Sequence, residues 1–291
     1  PEDVKKKITS RTRAIVAVHL WGMVCDMQAL GTISQETGIP IIEDCSHAHG
    51  ALFRGRVVGA IGKVGAWSMQ GSKAVSAGEG GVLATDDDEV FDRACMIGQV
   101  NRAAGLDLVS AKYQKYQPLG LGIKFRAHPL GIGIARVQLR KLGLLNAGRG
   151  GYIEAVERAL KEIPGLDPVT STDGTKRGGY YGFPTIFRAE QVPGVTRDQY
   201  VNALRAHGVP ASSSPYDLLH RLPYFAEGMD VFGFGRGVMC EGYRGYKEGD
   251  FPGAEEMHRN VVFLPVLTDP VEGATEEIIR RIRKGVESLG F

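Results

Sequence analysis

Short, continuously apolar runs alternate with amphipathic stretches along the first half of the chain. Ala14-Ile15-Val16-Ala17-Val18 has no polar position, the pattern of a strand buried on both faces. Residues 26–37 carry Met27, Leu30, Ile33 and Ser34 on one side, which predicts a helix stopped by Gly38. Pro40-Ile41-Ile42-Glu43-Asp44 predicts the next buried strand, and residues 64–69 and 81–85 two more. Residues 87–99 form a helix with acids in its first turn, where they oppose the helix dipole. Strand, helix, strand in this order predicts βαβ units and a mostly parallel sheet.

The second half changes character. Residues 129–145 and 151–163 predict two helices, broken off at Pro164-Gly165. Residues 180–188 predict a strand. Residues 196–207 predict a helix with Thr196 as N-cap and Gly208 as its close. A strand at 261–265 and an amphipathic helix at 275–289 follow. The expected organisation is an α/β large domain over residues 1–150 and a small α+β domain with antiparallel strands over residues 151–291. The boundary falls within residues 146–170.

Composition narrows the function class. The net charge of +2 gives no general attraction to nucleic acid or to a membrane surface. No apolar run approaches the roughly 20 residues of a membrane span. The 40 glycines are spread throughout, which points to tight turns and close backbone approaches and not to a linker. Cys25, Cys45, Cys95 and Cys240 form no C-x-x-C pair, so they read as free thiols in a reducing cytoplasm. The polar start, Pro1-Glu2-Asp3-Val4-Lys5-Lys6-Lys7, has no signal-peptide character and reads like the interior of a domain.

The chemistry concentrates between residues 41 and 81. Asp44 ends a buried strand, and ligands of parallel sheets gather at such carboxyl ends. Lys73 follows in Ser68-Met69-Gln70-Gly71-Ser72-Lys73, just before Gly78-Glu79-Gly80-Gly81. A lysine amine to hold an aldehyde, with an acid to pair with a pyridinium nitrogen, is what pyridoxal phosphate requires. Ser68 offers a hydroxyl for a phosphate, and His47 a donor for the cofactor's ring oxygen. Each has a plainer reading: a turn aspartate, a surface lysine, a structural histidine. For His49 the structural role is preferred. Asp44, His47 and His49 have the types of a metal set, but no further ligand is spaced nearby, so no metal is expected. Gly71-Ser72-Lys73 lacks the order of a P-loop.

Residues 41–50 and 65–81 resemble the matching segments of the DegT/DnrJ/StrS sugar aminotransferases. The likeness extends to His19-Leu20-Trp21-Gly22, Gly122-Ile123-Lys124-Phe125-Arg126, Gln138-Leu139 and Val262-Phe263-Leu264-Pro265. It implies a fold-type I, pyridoxal 5'-phosphate-dependent transferase with Lys73 as the Schiff-base lysine and Asp44 as the pyridinium partner. It places His47 beside the ring oxygen and Ser68 on the phosphate. Lys124 stands where the family reaches the phosphate of a neighbouring subunit, which implies a homodimer with shared sites. The implied reaction moves an amino group from an amino acid to a keto-sugar or keto-cyclitol. Glu43-Asp44-Cys45-Ser46-His47-Ala48-His49-Gly50 with Ser68-Met69-Gln70 most resembles the subgroup that uses L-glutamine on scyllo-inosose.

Further expectations accompany the resemblance. Relatives in the family act on nucleotide-linked sugars as aminotransferases or dehydratases, and the dehydratases carry histidine where Lys73 stands. Family members begin with a segment carrying early strands and a phosphate-gripping turn, so the chain is expected to be N-terminally truncated and inactive alone. A truncated or degenerate homologue serving as a binding or regulatory protein is the alternative. Acceptor choice is assigned to loops 212–224 and 232–246, with Tyr216 and His220 as possible contacts.

Overall fold

The computed structural model describes residues 1–98, 108–116, 120, 123–230, 233 and 242–291. Gln99, Gly122, Cys240, Phe232 and residues 234–241 of the expected acceptor loop lie outside them. The chain divides into two compact units, Pro1–Gly151 with Thr170–Tyr181, and Tyr152–Val169 with Gly182–Phe291.

The first unit opens with helix α1 (Glu2–Lys7), strand β1 (Ile15–Val18), helix α2 (Met27–Thr37) and strand β2 (Ile41–Asp44). Two short strands follow, β3 (Leu52–Phe53) and β4 (Arg56–Val57), and then β5 (Val64–Ser68) and β6 (Gly81–Ala84). The main sheet has the order β1-β2-β5-β6. β1 and β5 both run parallel to β2, and β6 is antiparallel to β5. Helix α2 starts at Asp26, whose carboxylate accepts the Gln28 and Ala29 N–H groups, and ends at left-handed Gly38. Its Met27, Leu30 and Ile33 pack with Ile15, Ala17 and Ile41 of the sheet. Each such side chain contributes about 1.5–3 kcal/mol when fully buried.

β1 departs from expectation. Ile15 and Ala17 are buried, whereas Val16 and Val18 are 58% and 46% exposed. The apolar run alternates like any strand, and α2 covers only the face that carries Ile15 and Ala17. β3 and β4 are joined by Arg54 and Gly55, both with positive φ, as a two-residue hairpin turn of this kind requires. β8 (Thr175–Lys176) completes this small sheet as the neighbour of β3, after β7 (Leu166–Pro168) in chain order.

Helices α3 (Asp88–Gly98) and α4 (Ala111–Gln114) precede α5 (Pro129–Leu160). α5 is one helix where two were expected. Gly148, Gly150 and Gly151 fall at the expected division, but helical glycine costs only about 1 kcal/mol, and Gly150 has a packing role. A Cβ there would stand 2.7 Å from the Tyr180 hydroxyl.

The second unit holds an antiparallel sheet of order β10-β9-β7, with β9 at Phe183–Phe187 and β10 at Val261–Leu264. Helix α6 (Arg197–Ala206) carries the expected Thr196 cap as a full capping box with Gln199. Helices α7 (Pro252–Asn260) and α8 (Ala274–Glu287) follow. The core gathers Phe183, Leu166, Tyr200, Leu204, Val262 and Ile282. β9 begins three residues later than predicted, because Tyr180 is left-handed and Tyr180-Tyr181 belong to the first unit.

Candidate active site

Two neighbouring strands position the acid and the hydroxyl. β2 and β5 are parallel with Asp44 beside Ala66, so their carboxyl ends open at the same sheet edge. Asp44 closes β2, and its Oδ1 accepts the Ser46 N–H at 2.9 Å. Ser68 closes β5, and its Oγ accepts the Gln70 N–H at 3.3 Å.

Lys73 lies in the turn that follows β5. Its own N–H donates to the Gln70 carbonyl at 2.9 Å. The Ser72 N–H and hydroxyl both donate to Gln70 Oε1, at 2.9 and 2.6 Å. The half-buried Lys73 Nζ stands 3.7 Å from the centre of the Tyr181 ring. The Tyr181 ring also stacks on His47, with centroids 4.0 Å apart and planes 18° from parallel. Two groups this close cannot share one ring face, so Lys73 and His47 lie on opposite faces.

His47 is fixed by the backbone. The Trp21 N–H donates to His47 Nδ1 at 3.3 Å, which leaves the neutral ring's proton on Nε2. Trp21 achieves this in a left-handed conformation, φ 56°, which is unusual for a large side chain. Burial pushes the His47 pKa down to about 4, the Lys73 charge adds to the effect, and Asp44 opposes it. His47 is therefore neutral at pH 7. His49 is pushed down to about 4 chiefly by burial, and it lines an apolar cavity with Trp67, Met69 and Leu142.

Behind Asp44, His19, Glu43 and Cys45 are completely buried, with ligand-type atoms within 4.8 Å of one another. Glu43 is already saturated. Its Oε2 takes His19 Nε2 at 3.1 Å and the Gly59 N–H at 2.7 Å. Its Oε1 takes the Ile61 and Gly62 N–H groups at 2.8 and 2.5 Å. These hydrogen bonds hold the carboxyl below its ordinary pKa against the opposing effect of burial. The cluster is a structural brace under the end of β2.

Asp44, His47, Ser68 and Lys73 thus sit around one sheet edge, and both Asp44 and Lys73 act electrostatically on His47. Lys124 lies exposed on the segment before α5. Sequence reasoning missed Tyr181, Ser72 and Trp21. Tyr181 is 109 residues from Ser72 in sequence, and only the Gly178-Gly179 pair before it hints at a close backbone approach.

A carboxylate, an amine, a hydroxyl and a neutral imidazole form a donor set that fits pyridoxal phosphate. The open, mostly parallel sheet carrying them, with an antiparallel α+β unit, defines a fold-type I pyridoxal phosphate-dependent transferase. The model of the DegT/DnrJ/EryC1/StrS aminotransferase family matches residues 1–283, and the chain belongs to that family. Pyridoxal 5'-phosphate is the family's cofactor.

A putative L-glutamine:3-amino-2,3-dideoxy-scyllo-inosose aminotransferase of Micromonospora echinospora is 35% identical over 76% of this chain and 52% of its own length. The L-glutamine:scyllo-inosose aminotransferase of Streptomyces griseus is 31% identical over 99% of this chain and 68% of its own. The chain therefore spans about half to two thirds of these relatives' length. A solved aminotransferase from Psychrobacter cryohalolentis shares the fold with a TM-score of 0.83 at 22% identity, covering 100% of this chain and 73% of that one. Among the described residues, no helix is long and apolar enough to cross a membrane.

Proposed function

We propose that this protein transfers an amino group from an amino acid, L-glutamine, to a keto-cyclitol or keto-sugar. The observation that carries the proposal is the amine of Lys73 beside the strand ends that present Asp44 and Ser68. Bound there, pyridoxal phosphate supplies an aldehyde and an electron-withdrawing ring. Lys73 Nζ would hold the aldehyde carbon and, as a free amine, would carry the proton taken from the substrate's Cα. Asp44 keeps the ring nitrogen protonated. Ser68 and neighbouring N–H groups hold the phosphate. His47 offers its Nε2–H to the ring oxygen. Lys124, being exposed, reaches the phosphate of a second subunit in a homodimer.

The donor and acceptor classes rest on the names of the two relatives. Lys73 itself speaks against a dehydratase of the histidine type. Among the described residues, Cys25, Cys45 and Cys95 form no disulfide, which suits a reducing cytoplasm.

The test is reduction with borohydride after addition of pyridoxal phosphate, followed by peptide mapping. A covalent adduct on Lys73 is expected, and no adduct there would sink the proposal. Loss of the bound cofactor's visible band on adding L-glutamine, but not L-alanine, then supports the donor. The reverse preference overturns it.

A further inference from the structure

We infer that Tyr181 is a positioning residue for the Lys73 amine, holding Nζ against its ring at the sheet edge. The inference rests on the proposed role of Lys73. Lysine has four rotatable side-chain bonds, and an exposed one spreads over many rotamers. Here Nζ lies 3.7 Å from the Tyr181 ring centre, a distance at which a cation is attracted by the ring's negative face.

The ring is itself braced. His47 stacks on its other face at 4.0 Å. Its hydroxyl lies 3.0 Å from Ser72 Oγ. Ser72 gives its one hydroxyl proton to Gln70 Oε1, so Tyr181 donates to Ser72. Tyr181 thereby fastens to the turn that bears Lys73.

The backbone leading to Tyr181 is equally constrained. The Gly179 N–H donates to Asn146 Oδ1 at 3.1 Å, while Asn146 Nδ2 donates to the His49 carbonyl at 2.9 Å. Arg149 Nη1 donates to the Gly179 carbonyl at 3.3 Å. A Cβ on Gly178 would stand 2.3 Å from the Ala51 nitrogen, and one on Gly179 would stand 2.5 Å from the His47 oxygen. Only this glycine pair lets the segment approach so closely. Tyr180 is then left-handed, φ 45°, a strained state for an aromatic residue. Such construction delivers one side chain, Tyr181, to a fixed place over the lysine.

The experiment compares wild type, Y181F and Y181L. Each is mixed with pyridoxal phosphate and quenched with borohydride at timed intervals, and the adduct on Lys73 is counted by mass spectrometry. Y181L keeps bulk but has no π face, so adduct formation at limiting pyridoxal phosphate is expected to fall roughly three- to thirtyfold. Y181F keeps the face and is expected to stay within about twofold of wild type. Should Y181L lose its fold by circular dichroism, Y181M carries the same test, since methionine fills irregular space without a ring. Wild-type rates in a folded Y181L or Y181M, or an equal loss in Y181F, overturn the inference. Neither result touches the assignment of Lys73, which fails only if wild type itself forms no adduct there.

Discussion

His19 Nε2 meets Glu43 Oε2 at 3.1 Å, with both side chains completely buried. The direction of this bond is set from behind. The Cys25 N–H donates to His19 Nδ1 at 3.2 Å, so the proton that faces Glu43 is carried on Nε2. Glu43 also binds three N–H groups of the 59–62 turn, and the next residue along β2 is Asp44. E43Q would turn an amide NH2 toward donors with which it cannot bond. Leaving buried donors without an acceptor costs about 1–3 kcal/mol each. Urea denaturation of E43Q is expected to show a loss of that order. A loss below about 1 kcal/mol, the net value of an ordinary hydrogen bond, contradicts the brace.

Acid sensitivity follows from three groups that act in one direction. Glu43 is held below its ordinary value of 4.5, so its contribution is complete above that pH and is lost as pH falls through the lowered native value. His47 and His49 are pushed from 6.5 down to about 4. Between those values the unfolded chain takes up protons that the native one refuses, so stability falls as pH drops from 6.5 toward 4. The melting temperature is expected to decline over this window. His47 faces Lys73, Asp44 and His49. H47Q keeps an acceptor for the Trp21 N–H, and it is expected to flatten the decline. An unchanged slope in H47Q refutes the assignment.

Gly179 has φ +69°, and a Cβ there would lie 2.5 Å from the His47 carbonyl oxygen. G179A therefore combines a left-handed alanine, about 1–2 kcal/mol, with a clash against backbone that has no side-chain freedom to yield. A stability loss of at least about 2 kcal/mol is expected from chemical denaturation, together with a fall in Lys73 adduct formation. G38A offers the contrast. Gly38 is also left-handed, φ +70°, but a Cβ there meets nothing within 4 Å. It should lose only the conformational part. Equal losses in the two variants would falsify the close-approach argument.

The parallel sheet, α2 and the capped α6 were legible because their signals are local: apolar runs, Asp26, Gly38, and Thr196 with Gln199. The grouping of Asp44, Ser68 and Lys73 was legible for the same reason, since all three lie within 30 residues, at strand ends or in the turn that follows β5. Tyr181 was not. Its contact with Ser72 spans 109 residues, and its neighbours along the chain carry no periodic signal. The continuity of α5 was hidden because a glycine pair looks like a break from sequence alone. In three dimensions Gly150 makes room for the Tyr180 hydroxyl. Both misses share one cause. Long-range packing decided what a local residue preference could not.

Asp44 gives the sharpest separation of structure from chemistry. Its Oδ1 accepts the Ser46 N–H at 2.9 Å, and asparagine retains a carbonyl oxygen for that bond. D44N should therefore fold as wild type, with thermal unfolding shifted by less than about 1 kcal/mol. What it loses is the negative charge at the end of β2. A hydrogen bond to a charged group contributes about 1.5–3 kcal/mol, so pyridoxal phosphate affinity should fall roughly ten- to a hundredfold. Titration of the cofactor's visible band against protein concentration measures this directly. D44E restores the charge but moves it by one methylene, and it should recover only part of the affinity. If D44N binds pyridoxal phosphate as tightly as wild type, Asp44 is a turn residue and the ring nitrogen has another partner.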